Sequence, residues 1–278
     1  MTAVLLSLLT ALCYGLANYL GPLLTRRHPL GGILLTGQVV GVVGAGLLLL
    51  VRGGAFPDGR HLLFGAAAGV CNGAALAMLY TAAAAGPISI VAPIGATGSV
   101  LPVAVAIATG ERPSLLQLVG IPLAVVGVVL AAARRGDGRT HAAPRTIVLA
   151  VLSAVAFGGF LAFFGAASAD HTSWAVLTSR VTLVVCTAGV VLVQRFPVAL
   201  PARSLPAVAL PGLLLLTGTV SYGIATTQGL VSVVAVLATL APVVTVGLAV
   251  LVLGERLAPR QQVGVAVALT GVVLLAAG

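Results

Sequence analysis

The chain has 278 residues, of which 60% are hydrophobic and only 7% charged, with 14 basic residues, 5 acids and a formal net charge of +9. Soluble domains carry roughly 25% charged residues, so this chain cannot cover a water-facing surface. A mean hydropathy of +1.20 excludes disorder, and long apolar runs without alternation exclude an outer-membrane barrel. What remains is an all-α integral membrane protein. Every basic residue except the four His is Arg, and almost every Arg lies between apolar runs. There, positive charge sets membrane orientation, so nucleic acid is not an expected partner.

Ten apolar segments of about spanning length follow one another. They cover 2–24, 31–51, 62–85, 87–109 and 115–133, then 146–168, 172–194, 205–227, 229–253 and 260–277. The first lacks a basic leader and is too long for a signal peptide's apolar core, so it reads as a retained helix. Arg26-Arg27-His28-Pro29 ends it, and Gly53-Gly54 with Pro57-Asp58-Gly59-Arg60 forms the next turn. The longest polar stretch, 134–145, splits the chain near its middle. Residues 1–133 and 146–278 are therefore read as two five-helix units.

The two units repeat each other. A shift of 144 places Gly110-Glu111-Arg112 on Gly254-Glu255-Arg256, Gln117 on Gln261, Gly120 on Gly264 and Gly127 on Gly271, with 11 of 21 positions identical over 110–130. A weaker match near an offset of 143 places Ala11, Tyr14 and Gly15 on Ala154, Phe157 and Gly158. Five helices is an odd number, so the second unit enters the membrane in the opposite sense. Inverted repeats of this kind place a substrate site near the midplane, between the halves.

This pattern resembles the EamA-type transporters of the drug/metabolite transporter superfamily. The resemblance rests on the paired Gly-Glu-Arg, on Tyr80 followed by Gly86-Pro87-Ile88-Ser89-Ile90-Val91-Ala92-Pro93-Ile94, and on Ser232 with Ala241-Pro242. Two features depart from it: Gly98 stands twelve residues before the first Gly-Glu-Arg, and the second half lacks the Gly-Pro junction. The resemblance implies ten helices in a cell membrane and transport of a small organic metabolite.

Arg180 is the one charge well inside an apolar segment. At a rise of 1.5 Å per residue it lies roughly 12 Å deep, near the centre of a ~30 Å core. Such an Arg faces a cavity or a partner. Substrate contact and backbone bonding are both open for it. Gln38 stands at roughly the matching position of the first half. Asn18, Asn72, Tyr80, Tyr222 and Trp174 are further candidate substrate contacts, with helix-to-helix hydrogen bonding as their alternative role. Trp174 also suits an interfacial anchor. Gly86, Pro87, Pro93 and Pro102 crowd the fourth segment and Pro242 interrupts the ninth, so these are candidate hinges. Glu111-Arg112 and Glu255-Arg256 sit at interfacial turns and read as structural. Ser114 with Gln117 has capping-box spacing, and Pro259 suits a first helical position.

No Walker motif, metal cluster or nucleophile beside a His occurs, so no enzyme, cofactor or metal is expected. Cys13, Cys71 and Cys186 read as small packed hydrophobes. Expected partners are the bilayer, a small-molecule substrate and, as an open alternative, a second copy of the chain. The competing function is a non-transporting subunit of a membrane assembly or a lipid-carrier flippase component. Loops on the side of the termini hold Arg52, Arg60 and Arg112, whereas the other side holds ten Arg. The positive-inside rule then expects both termini outside, whereas the resemblance implies both inside.

Overall fold

In the computed structural model the described residues are 1–85, 91, 94–132, 143–253 and 258–278. The helices are α1 (Thr2–Thr25), α2 (Leu30–Arg52), α3 (Gly59–Ala85), α4 (Val100–Ala108, entered through a 3-10 turn, Ala96–Ser99) and α5 (Leu115–Ala132). The second half holds α6 (Pro144–Ala169), α7 (His171–Gln194), α8 (Leu205–Thr226), α9 (Val231–Ala238), α10 (Ala241–Leu253) and α11 (Pro259–Ala277). Among the described residues nine helices, counting α9 and α10 as one span, are long and apolar enough to cross a membrane, and Ala96–Ala108 is a shorter tenth. The fold is therefore ten spans in two inverted five-helix repeats. The non-helical backbone of His171 (φ −135°, ψ 50°) marks the break between α6 and α7.

The repeated residues are the ones that lock the halves together. Small residues let helix backbones approach closely in a medium with no hydrophobic driving force. A β-carbon at Gly127 of α5 would collide with Ala268 of α11, and one at Gly271 would collide with Ala124. These two contacts are equivalent under the 144-residue shift. Gly120 against Leu274 and Leu275, and Gly264 against Leu130 and Ala131, form a second equivalent pair. The two fifth helices thus cross antiparallel about a local two-fold axis. The weaker match has the same meaning. Gly15 of α1 sits against Ala241 and Val244 of α10, while Gly158 of α6 sits against Gly98 and Leu101 at the start of α4.

Hydrogen bonds repeat the pattern. The Thr10 hydroxyl donates to the Gly218 carbonyl at 3.1 Å, and its counterpart Ser153 donates to the Ala75 carbonyl at 2.8 Å. Each repeat's first helix therefore packs into the other repeat. One buried cluster draws Ala11, Val103, Ile121 and Val128 from the first half and Val236, Leu237 and Ala268 from the second. Gly65, Gly69 and Gly73 bring α3 onto α7 at Thr178, Ser179–Thr182 and Cys186. The outside is apolar instead of charged: Val39, Val43, Leu47 and Leu50 run down α2 as an exposed stripe, as lipid requires.

The expected caps are present. The Ser114 N–H donates to Gln117 Oε1 at 2.9 Å and the Gln117 N–H to Ser114 Oγ at 3.2 Å. Pro259 occupies the first turn of α11. The break in the ninth span falls at Thr239–Leu240, and the helix resumes at Ala241 as α10 with Pro242 in its first turn. Pro102 is buried in the first turn of α4.

Candidate functional site

Arg180 is buried, at 4% exposure, nine residues into α7. Its Nη2 donates to the Leu215 carbonyl at 2.6 Å and also to Thr219 Oγ1, both on α8. Thr219 donates its single hydroxyl proton to the same carbonyl, at 2.7 Å. Tyr14 of α1 lies 3.0 Å from Thr219 Oγ1. With the Thr219 proton already committed, the Tyr14 hydroxyl is the donor. Three helices from two repeats therefore meet at one hydroxyl.

The fourth wall is α2. A β-carbon at Gly41 would stand 3.3 Å from Arg180 Cδ, so a larger residue there would press on the aliphatic stem of the arginine. Gln38 is one turn earlier on the same face. It is buried at 4% exposure, and its Oε1 has no hydrogen-bond partner among the described residues. A buried polar atom without a partner calls for explanation. Among the described residues the one ion pair is Asp58–His61, at an end of the bundle. Among the described residues the Arg180 charge is thus hydrogen-bonded but has no counter-charge.

The repeat makes this site one-sided. A shift of 143 places Phe157 on Tyr14, Leu76 on Thr219 and Gly37 on Arg180. The matching wall is apolar, with Phe157, Phe160 and Phe164 of α6 in successive ring contacts at 5.8 and 5.7 Å.

Other candidates lie elsewhere. Tyr222 is fully buried and donates to the Leu161 carbonyl at 3.0 Å, which ties α8 to α6. Trp174 sits in the first turn of α7 with its ring edge-on to Phe56 at 5.0 Å, and its buried Nε1 has no partner among the described residues. Asn72 is half-buried on α3. Asn18 departs from the expected protein-facing position. It is exposed on the last two turns of α1. The Tyr80 side chain and Gly86, Pro87, Pro93, Glu255 and Arg256 lie outside the described residues, as does most of the 134–145 linker. Thr219 and Thr10 escaped the sequence reading, because a lone Thr in an apolar run carries no spacing signal.

Glu111 has a structural role of larger reach than its own turn. Its Oε1 accepts the Val231 N–H at 2.6 Å, and its Oε2 accepts the Ser232 N–H at 3.0 Å and the Ser232 hydroxyl at 2.6 Å. The first turn of a helix has unpaired N–H groups and positive potential. Glu111 of the first repeat supplies the missing acceptor to α9 of the second, while Arg112 is exposed. At the same end, His61 and His171 rings meet at 5.3 Å, and Asp58 bonds the His61 backbone N–H at 2.9 Å and Nδ1 at 2.5 Å. These contacts hold the Asp58 carboxyl below its ordinary value, the backbone N–H contributing most.

The model of the EamA-like transporter family matches residues 1–133 and 144–277. An uncharacterized protein of Methanocaldococcus jannaschii is 28% identical over 131 residues, which is 46% of this chain and 95% of that protein. A solved crystal structure superposes with a TM-score of 0.80 at 18% identity, covering 98% of this chain and 95% of its own. That likeness concerns the fold alone.

Proposed function

Since the chain belongs to the EamA-like transporter family, it is a multi-pass membrane transporter of small molecules, and we propose that it works by alternating access of its two repeats around Arg180. The substrate is a small organic metabolite carrying a carboxylate or similar anionic group. One observation carries this reading: a fully buried guanidinium with hydrogen-bond partners but no described counter-charge. Burying an unneutralised cation is costly, and an anionic ligand would supply the counter-charge that the described residues do not. The orphan Gln38 Oε1 adds an acceptor for a donor group on the same molecule.

Secondary active or facilitative movement fits a chain without a nucleotide-binding motif of its own. By the positive-inside rule the termini face outward, since the described arginines Arg26, Arg27, Arg145, Arg195, Arg203 and Arg260 share the end opposite the termini. Cysteine labelling of the 134–145 loop checks the orientation; labelling from outside would reverse it. The substrate class is tested by uptake into proteoliposomes of matched pairs, each carboxylic acid with its neutral amide. The acids are expected to enter and the amides to lag at least tenfold. Equal entry removes the carboxylate from the proposal.

A further inference from the structure

A groove opens at the end of the bundle remote from the termini, along the seam between α1 and α8. It encloses about 420 Å³ and is lined by Leu20, Leu23, Leu24, Ala207 and Leu210, with Arg26 and Arg27 at its lip. Both arginines are exposed and neither forms an ion pair among the described residues. Among the described residues, no polar side chain lines it apart from the two guanidinium groups. A small polar metabolite would find too few partners there. An amphiphile with an anionic head and an apolar tail matches both parts.

The depth agrees. Leu23 and Leu24 form the last apolar turn of α1, and the arginines follow at once, where the chain leaves hydrocarbon for headgroups. Lipid tails gain little hydrophobic energy from a protein groove, because bilayer is already apolar. Selectivity must therefore come from shape and from the paired charges. We propose that this groove seats one anionic phospholipid, its phosphate on Arg26 and Arg27 and one acyl chain along the leucines. The site is independent of the transport reading. It does, however, sit on the helix pair that brings Tyr14 to Thr219.

The test is native mass spectrometry of the purified full chain with phosphatidylglycerol, with phosphatidylcholine of the same acyl chains, and with glycerol 3-phosphate. Wild type is expected to retain one phosphatidylglycerol in preference to phosphatidylcholine and to ignore glycerol 3-phosphate. Arg26→Gln/Arg27→Gln is expected to weaken phosphatidylglycerol by about 10- to 30-fold, the loss of two arginines beside an anionic headgroup. Arg26→Lys/Arg27→Lys keeps the charge and the lipid. Arg145→Gln/Arg260→Gln, which removes equal charge from the same end outside the groove, keeps the lipid. Leu210→Trp fills the groove and lowers retention. The proposal is overturned if the Gln pair at the lip retains phosphatidylglycerol like wild type, if the remote pair loses it equally, or if glycerol 3-phosphate binds as well as the lipid.

Discussion

Arg180→Met separates a ligand-binding arginine from a structural one. Met keeps most of the aliphatic volume and removes the charge. Removing a charge from the middle of a spanning helix relieves about 2.5–3.5 kcal/mol. The two hydrogen bonds lost from Nη2 are worth about 1.5–3 kcal/mol each. These contributions partly cancel, because nothing is orphaned: Thr219 still donates to the Leu215 carbonyl at 2.7 Å and still accepts from Tyr14 at 3.0 Å. The net change is expected between about zero and 3.5 kcal/mol of destabilisation, a fall in melting temperature of roughly 6 °C or less by the scaling of large domains. Transport of the anionic substrate is expected to fall at least a hundredfold. Melting by intrinsic fluorescence and uptake by proteoliposomes are read on the same preparation. A large loss of stability with residual transport proportional to folded protein would refute the reasoning and make Arg180 a structural residue.

Glu111→Ala leaves the Val231 and Ser232 N–H groups uncapped and is expected to cost about 1–2 kcal/mol, seen as faster hydrogen exchange across α9 while α5 stays protected. Gly127→Val drives a side chain into Ala268 and is expected to abolish monodisperse expression, whereas Gly46→Ala, with open space around its Cβ, is expected to be neutral or to gain up to about 1 kcal/mol. The Asp58 carboxyl has a lowered native value, so its cap on α3 is complete above the ordinary carboxylate range and fades as pH falls through the lowered value. The protection factor of the His61 amide should therefore fall as pH drops below the ordinary carboxylate range, and Asp58→Asn should remove that pH dependence.

The inverted repeat was legible in the sequence because its matching residues are interface residues. Gly120, Gly127, Gly264 and Gly271 recur at one spacing since a two-fold crossing needs the same small residue twice. Arg180 was legible as a misplaced charge by depth alone. Its partners were not, since one is a backbone carbonyl 35 residues away and another is Thr219, whose link to Tyr14 spans 205 residues. Glu111 announced a turn, but the helix it caps begins 120 residues later. Asn18 is exposed on α1, and an amide in an apolar run looks the same whether the helix rotation buries or exposes it. Pairings of this kind are decided by packing, which composition and local spacing do not encode.

The central claim is that the purified chain alone carries an anionic small molecule across a bilayer by alternating its two repeats. Counterflow measures this directly: proteoliposomes loaded with unlabelled substrate are diluted into tracer. The account predicts a transient overshoot of internal tracer that disappears in Arg180→Met. Tracer entry that rises without overshoot, or no entry for any carboxylate tested with folded protein, would contradict it.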